Sequence, residues 1–308
     1  MHKPMSLGEA VELFLGEQIA STRKSYQYVL CDLLGHLGPA NLLTEIEPAQ
    51  IIRFGQKVRE RPAVKSPFTY NKSVKTVRTF FNWCIKIGYL SPPSPANGLK
   101  YLTSAKGVRR EKAMPDDQLK QLMDFAKWDK RAYALVLFLS DTGCRVSGAA
   151  RLKWADIDLS VRQASTVEKG KPPHLVYFNQ ECAIAISMWQ IQQRSKASKI
   201  PEYVFSAKGT FMEPDSLGDY FKRLCGRAQL DKNWGPHSLR HRKGWQGSDQ
   251  RIAAPIIAEI LGNTLEVTLA NYFPKDETRV RAAVEELGYK PERPMSTARI
   301  LKDNKRTG

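Results

Sequence analysis

The chain reads as mainly α-helical with a small antiparallel β-sheet, split into an all-helical N-terminal domain and a larger mixed α/β domain. Three observations predict this. Apolar residues recur at three- and four-residue steps along most of the 308 residues, which is the helix period. Alternating patterns cluster instead between residues 154 and 178. Between the two regions, residues 89–112 combine Pro, Ser and Gly with a basic cluster and lose all periodicity, as a linker does. A length of 308 fits about two domains, and 42% hydrophobic with 9% aromatic residues supplies a core to each.

In the first domain the spacing predicts helices over residues 7–18, 22–37, 48–59 and 69–88. In the second of these, Tyr26, Val29, Leu30, Leu33 and Leu34 form one stripe while Arg23 and Lys24 stay outside it. After the linker, Pro115 and two acids open a helix over 116–128. The apolar run 132–140 reads as a buried helix that Gly143 closes with a left-handed cap. Strands follow over 154–159, 164–168 and 174–178, then helices over 180–194, 214–228, 238–246, 255–261 and 265–272. A last amphipathic helix, 277–287, carries Val280, Ala283, Val284 and Leu287 on one stripe, to dock on its own core or on a neighbouring copy. The expected division is a domain over 1–92, a linker over 93–112, a second domain over 113–290 and a basic tail over 291–308.

Charge narrows the partner. Forty-eight Lys and Arg against 31 Asp and Glu leave a formal +17, which favours a polyanion, nucleic acid ahead of an anionic membrane. The excess is local: residues 1–50 hold 3 basic and 6 acidic residues, residues 51–100 hold 10 and 1. A single Lys is usually just solvated. A ten-to-one excess interleaved with Ser66, Thr69, Tyr70, Asn71 and Thr76 reads as a phosphate-contacting face, because hydroxyls and amides also bind phosphate oxygens. Its candidates on the third and fourth helices are Arg53, Lys57, Lys65, Lys72, Lys75 and Arg78. Cys31, Cys84, Cys144, Cys182 and Cys225 are odd in number and never form a C-x-x-C pair, which argues against a disulfide framework and against zinc. With no signal-peptide core at the start and no run of about 18 uncharged apolar residues, the expectation is a cytoplasmic protein.

Single chemical features are weak. Arg145 follows a cap between apolar helices, where an ion pair, for instance with Asp141, is the common explanation. His237 and Arg240 project from one face near a helix start that already favours anions. Lys169 and Lys171 occupy a hairpin tip, and Tyr272 ends a helix. The ordered set is far more specific than its parts. Thr142-Gly143-Cys144-Arg145-Val146-Ser147, Lys169-Gly170, His237-Ser238-Leu239-Arg240-His241, and Leu261-Gly262-Asn263 followed nine residues later by Tyr272 resemble the tyrosine recombinase family. That family comprises the phage integrases and their chromosomal relatives. Two positions depart from its pattern: Gly148 stands where an acid is usual, and Asn263 where His or Trp is usual.

The resemblance implies a helical SAM-like core-binding domain followed by a mixed α/β catalytic domain. It implies a site-specific DNA recombinase that cuts and rejoins strands through a 3′-phosphotyrosyl intermediate, with no metal and no cofactor. Arg145 and Arg240 would bind the scissile phosphate, Asn263 would be a third ligand, and Tyr272 would be the nucleophile. His237 would take the phenol's proton and Lys169 would protonate the leaving 5′-oxygen. Lys171 competes for that role on spacing alone and otherwise contacts DNA. Partners would be double-stranded DNA and further copies of the chain, a homotetramer on DNA and a monomer or dimer when free. Two alternatives stay open: a catalytically weakened DNA-binding relative, suggested by Gly148 and Asn263, and a type IB topoisomerase-like activity.

Overall fold

A computed structural model describes residues 4–288 except 65, 104–109, 169, 171, 200, 233, 275 and 276. Lys65, Lys169, Lys171 and the tail over 291–308 therefore lie outside the described residues. The chain forms two compact units, Met1–Lys106 and Gly107–Gly308.

The first unit holds α1 (Leu7–Gly16), α2 (Ala20–Leu37), α3 (Pro48–Arg59) and α4 (Pro67–Ile87). Their ends carry the expected chemistry. Ser6 and Glu9 form a capping box on α1, and Ser66 caps α4 ahead of Pro67. Gly88 ends α4 in the left-handed region. The helices bury Leu7, Phe14, Leu30, Leu33, Phe54, Val77, Phe80 and Phe81 as one core. Residues 95–102, which composition assigns to the linker, belong to this unit. Ala96 and Leu99 are buried in its core, and Asn71 on α4 both donates to the Leu102 carbonyl and accepts from its N–H, each at 2.8 Å. Two apolar side chains and a satisfied backbone outweigh a Pro-rich composition.

The second unit comprises α5 (Asp116–Ala126), α6 (Lys130–Thr142), α7 (Val146–Arg151), β1 (Ile157–Asp158), β2 (Gln163–Thr166), β3 (His174–Tyr177) and α8 (Gln180–Lys196), then α9 (Pro214–Arg227), α10 (His237–Asp249), α11 (Ala254–Leu261), α12 (Leu265–Tyr272) and α13 (Glu277–Leu287). Buried almost all round, α6 is the axis on which α5, α8, α10 and β3 pack. The sheet has the order β1-β2-β3, antiparallel throughout, with Ala164 opposite Val176 and Thr166 opposite His174.

Two strands differ from the sequence reading. The first strand is cut to two residues because Asp156 accepts from the Lys153 N–H and winds residues 154–156 into a 3-10 turn. The second strand stops at Thr166, so Glu168 leaves the ladder with its carboxylate free to turn toward α7. All five cysteines are unpaired. Among the described residues no helix is long and apolar enough to cross a membrane.

Candidate active site

The site is assembled at the ends of helices. At the close of α6, the Thr142 hydroxyl donates to the Phe138 carbonyl at 2.6 Å and accepts from the Cys144 N–H at 3.2 Å. Gly143, at a φ of 60°, reverses the chain. An added Cβ there would lie 2.7 Å from Leu261. This turn sets Arg145 at the head of α7. From α10, the buried Arg240 donates to the Gly143 carbonyl at 2.8 Å, so the second arginine is tied to the turn that carries the first.

Asn263 joins them. Gly262 ends α11 in the left-handed region and the Asn263 N–H returns to the Ala258 carbonyl, which swings the side chain back over the arginines. Its Oδ1 accepts from Arg145 at 3.1 Å and from Arg240 at 2.6 Å. The expected donor to phosphate thus presents its carbonyl face to two guanidinium groups. Burial, and next the charge of Arg145, pull Arg240 down to about 10, which leaves it charged at neutral pH.

Arg145 does not pair with Asp141, whose carboxylate accepts from the backbone and side chain of Asn179. Its partner is Glu168, both of whose oxygens accept from Nη1, at 2.7 and 2.8 Å. Sequence reading placed Glu168 only as the last residue of a strand. No local signal marks it, because the partners are 23 positions apart and meet through the sheet.

Tyr272 is 3% exposed, packed at the end of α12 beside Trp245, Ile257 and Leu261. Its ring lies edge-on to His241 and to Trp245, with centroids 6.1 and 6.3 Å away. It rests directly on the α10 backbone at Gly244, where an added Cβ would come 2.5 Å from Cε1 and Cζ. Burial raises the phenol above its ordinary value, and the charges of Arg240 and Arg145 pull it back. His237 has a solvent-exposed edge at the head of α10, with its ring 5.6 Å from that of His241. Desolvation, then the charges of Arg240, Arg145 and Lys112, push its pKa below the usual imidazole value. Arg145, His237, Arg240, Asn263 and Tyr272 thus converge in one unit, while Lys169 lies outside the described residues.

The basic face is less uniform than its composition. Arg53, Lys57, Lys72 and Lys75 are exposed, but Arg78 is half-buried with its guanidinium over the Tyr101 ring, 5.5 Å from the centroid. Tyr70 is buried, Asn71 is committed to Leu102, and the Thr76 hydroxyl donates to the Lys72 carbonyl. A cleft of about 390 Å³ opens between α2 and α4, lined by Lys24, Ser25, Tyr28, Thr69, Lys72 and Ser73. It brings in α2, which the charge count of residues 1–50 gave no reason to include.

The model of the phage integrase family matches residues 112–279, more than half of the chain. The chain belongs to the phage integrase family. Among curated relatives, tyrosine recombinase XerC of Xanthomonas campestris is 26% identical over 245 residues, spanning 75% of this chain and 73% of its own. Two solved structures share the fold. The Tn1549 transposon integrase in complex with transposon right-end DNA aligns at a TM-score of 0.72 with 17% identity, over 92% of this chain and all of that one. A lambda integrase tetramer bound to a Holliday junction aligns at 0.64 with 14% identity, over 95% of this chain and 81% of that one. The family's activity, tyrosine-type site-specific DNA recombination, is accordingly this protein's activity.

Proposed function

We propose that Tyr272 is the nucleophile of this recombinase and that Arg145, Arg240 and Asn263 receive the scissile phosphate. Phosphoryl transfer asks the protein mainly to position the reactants and to neutralise the non-bridging oxygens. Two guanidinium groups meeting at one oxygen are built for that, since each stays charged and offers a planar fork of donors. The Tyr272 Oη attacks phosphorus, the bond from phosphorus to the 5′-oxygen breaks, and a 3′-phosphotyrosyl ester forms. The phenolic proton passes to His237, and Lys169 gives a proton to the departing 5′-oxygen. Attack by the 5′-hydroxyl of another strand reverses each transfer and releases the tyrosine, so bond energy is conserved without a cofactor.

The observation that carries this reading is the placement of a buried phenol within the field of both arginines, packed against the backbone of α10, the helix that bears His237 and Arg240. The DNA partner follows from the family and from the +17 charge. Lys24 and Lys72 in the α2–α4 cleft and Arg53, Lys57 and Lys75 nearby are its backbone contacts; Lys65 and Lys171 are assigned to the same role by sequence. The first unit, Met1–Lys106, acts as the core-binding domain, and the second unit, from Gly107, acts as the catalytic domain. Assembly on DNA is tetrameric, and the outward stripe of Val280, Val284 and Leu287, exposed at 62, 64 and 87%, supports docking of α13 on a neighbouring copy.

The test is covalent trapping. A bound sequence selected from a fragment library is nicked to make a suicide substrate, and denaturing gels read the protein–DNA adduct. Wild type forms the adduct in excess chelator, and Tyr272→Phe forms none while still binding DNA. An adduct that survives Tyr272→Phe, or a bound site on which wild type forms none, refutes the assignment.

A further inference from the structure

The two guanidinium groups pose an electrostatic problem that the catalytic roles leave unanswered. Arg145 and Arg240 donate to the same oxygen, and Arg240 is 4% exposed, so like charges meet where water screens them little. Neutral acceptors soften this repulsion, and an anion beside the pair offsets it directly. Before DNA supplies a phosphate, the carboxylate that meets Arg145 among the described residues is that of Glu168.

Resting on the function proposed above, we infer that Glu168 is a positioning residue for strand cleavage, its carboxylate holding Arg145 beside Arg240 in the orientation that receives the scissile phosphate. The contact geometry separates holding from blocking. Both Glu168 oxygens take hydrogens from Nη1, and Asn263 takes one from Nη2. Among the described residues the Arg145 Nε–H makes no hydrogen bond. Glu168 therefore grips the guanidinium through Nη1 alone and leaves the Nε–H to a phosphate oxygen. With Glu168 19% and Arg145 28% exposed, the pair is shielded enough to fix a rotamer.

The packing explains why the carboxylate comes from the sheet. An added Cβ at Gly148 on α7 would lie 3.2 Å from the Thr166 Cβ, so the helix sits too close to β2 to carry a larger side chain there without displacement. Two residues beyond Thr166, Glu168 reaches the same arginine from the strand side.

Single-turnover adduct formation on the suicide substrate tests this with full-length Glu168→Gln, alongside its DNA affinity and melting temperature. Cleavage is expected to slow by at least about tenfold, since small misplacements of a catalytic group cost rate steeply, with affinity unchanged or tighter because a negative charge has gone. In an Arg145→Lys background the Glu168→Gln penalty is expected to vanish, as it must if Glu168 acts through Arg145. Cleavage that is unchanged or faster, or a penalty equal in both backgrounds, overturns the inference; faster cleavage would mark Glu168 as a rival of the phosphate. Should Glu168→Gln fail to fold, Glu168→Asp keeps the charge one methylene short: several-fold slower cleavage at equal affinity is expected, and the wild-type rate overturns it. Failure of wild type to form an adduct would instead refute the reading of Tyr272, and this inference with it.

Discussion

At the scale of single residues, α10 seats the Tyr272 ring and carries His237, the proposed acceptor of its proton. His237 lies below the ordinary imidazole pKa, so at neutral pH it is unprotonated and able to accept the phenolic proton. The acid limb of cleavage is therefore expected to have its midpoint below the usual imidazole value. Single-turnover rates across pH check this, and an acid limb centred at or above pH 6.5 would contradict it. Gly244 sets the ring's seat. A methyl group there meets Cε1 and Cζ at 2.5 Å, so Gly244→Ala is expected to shift the phenol. Because an ångström of misplacement can cost about a hundredfold, we expect adduct formation to fall by about tenfold or more while DNA affinity stays within about twofold.

Elements carry a different set of consequences. The segment after α4 is held by the paired hydrogen bonds between Asn71 and Leu102 and by the burial of Ala96 and Leu99. Asn71→Ala removes both bonds, and full-length protein is expected to lose about 1–2 kcal/mol in urea unfolding of its first transition. Loss of DNA binding with unchanged stability would instead assign Asn71 to phosphate contact. Helix periods were legible because caps and stripes are local: α12 and α13 fall on their expected bounds, and α1 opens on the expected residue. The strands were less so, since Asp156 draws its neighbours into a turn and the ladder extends only as far as β2 and β3 remain paired. Reading α10 as ending at 246 missed its last turn, because Gly244 and Gly247 look like breakers until their packing against Tyr272 and Ile257 is seen.

For the whole molecule, the charge of +17 and its concentration in residues 51–100 predict steep salt dependence of DNA binding. The affinity is expected to fall by about 0.9 log units per log unit of salt for each phosphate neutralised, so titrations from low to physiological salt count the contacts. A flat response would remove the backbone-contact role of the basic face. Acid stability follows from the cluster on α10. Desolvation first, then His237, Lys112 and Arg240, push His241 down to about 4. Between pH 6.5 and about 4 the unfolded chain binds a proton that the folded chain refuses, so stability is retained above pH 6.5 and lost as pH falls through that window. Melting curves are expected to show this loss, and to show less of it in His241→Gln.

The sequence by itself determined the helical period, the two-part division, the basic excess and the order of Arg145, His237, Arg240, Asn263 and Tyr272, because each is written in neighbouring residues or in composition. Only the tertiary structure decided which groups face one another. That Glu168 rather than Asp141 answers Arg145, that Asn263 offers its carbonyl to both arginines, and that Gly244 cradles the phenol are contacts between distant segments. Their energies depend on separation and burial, which no local pattern encodes.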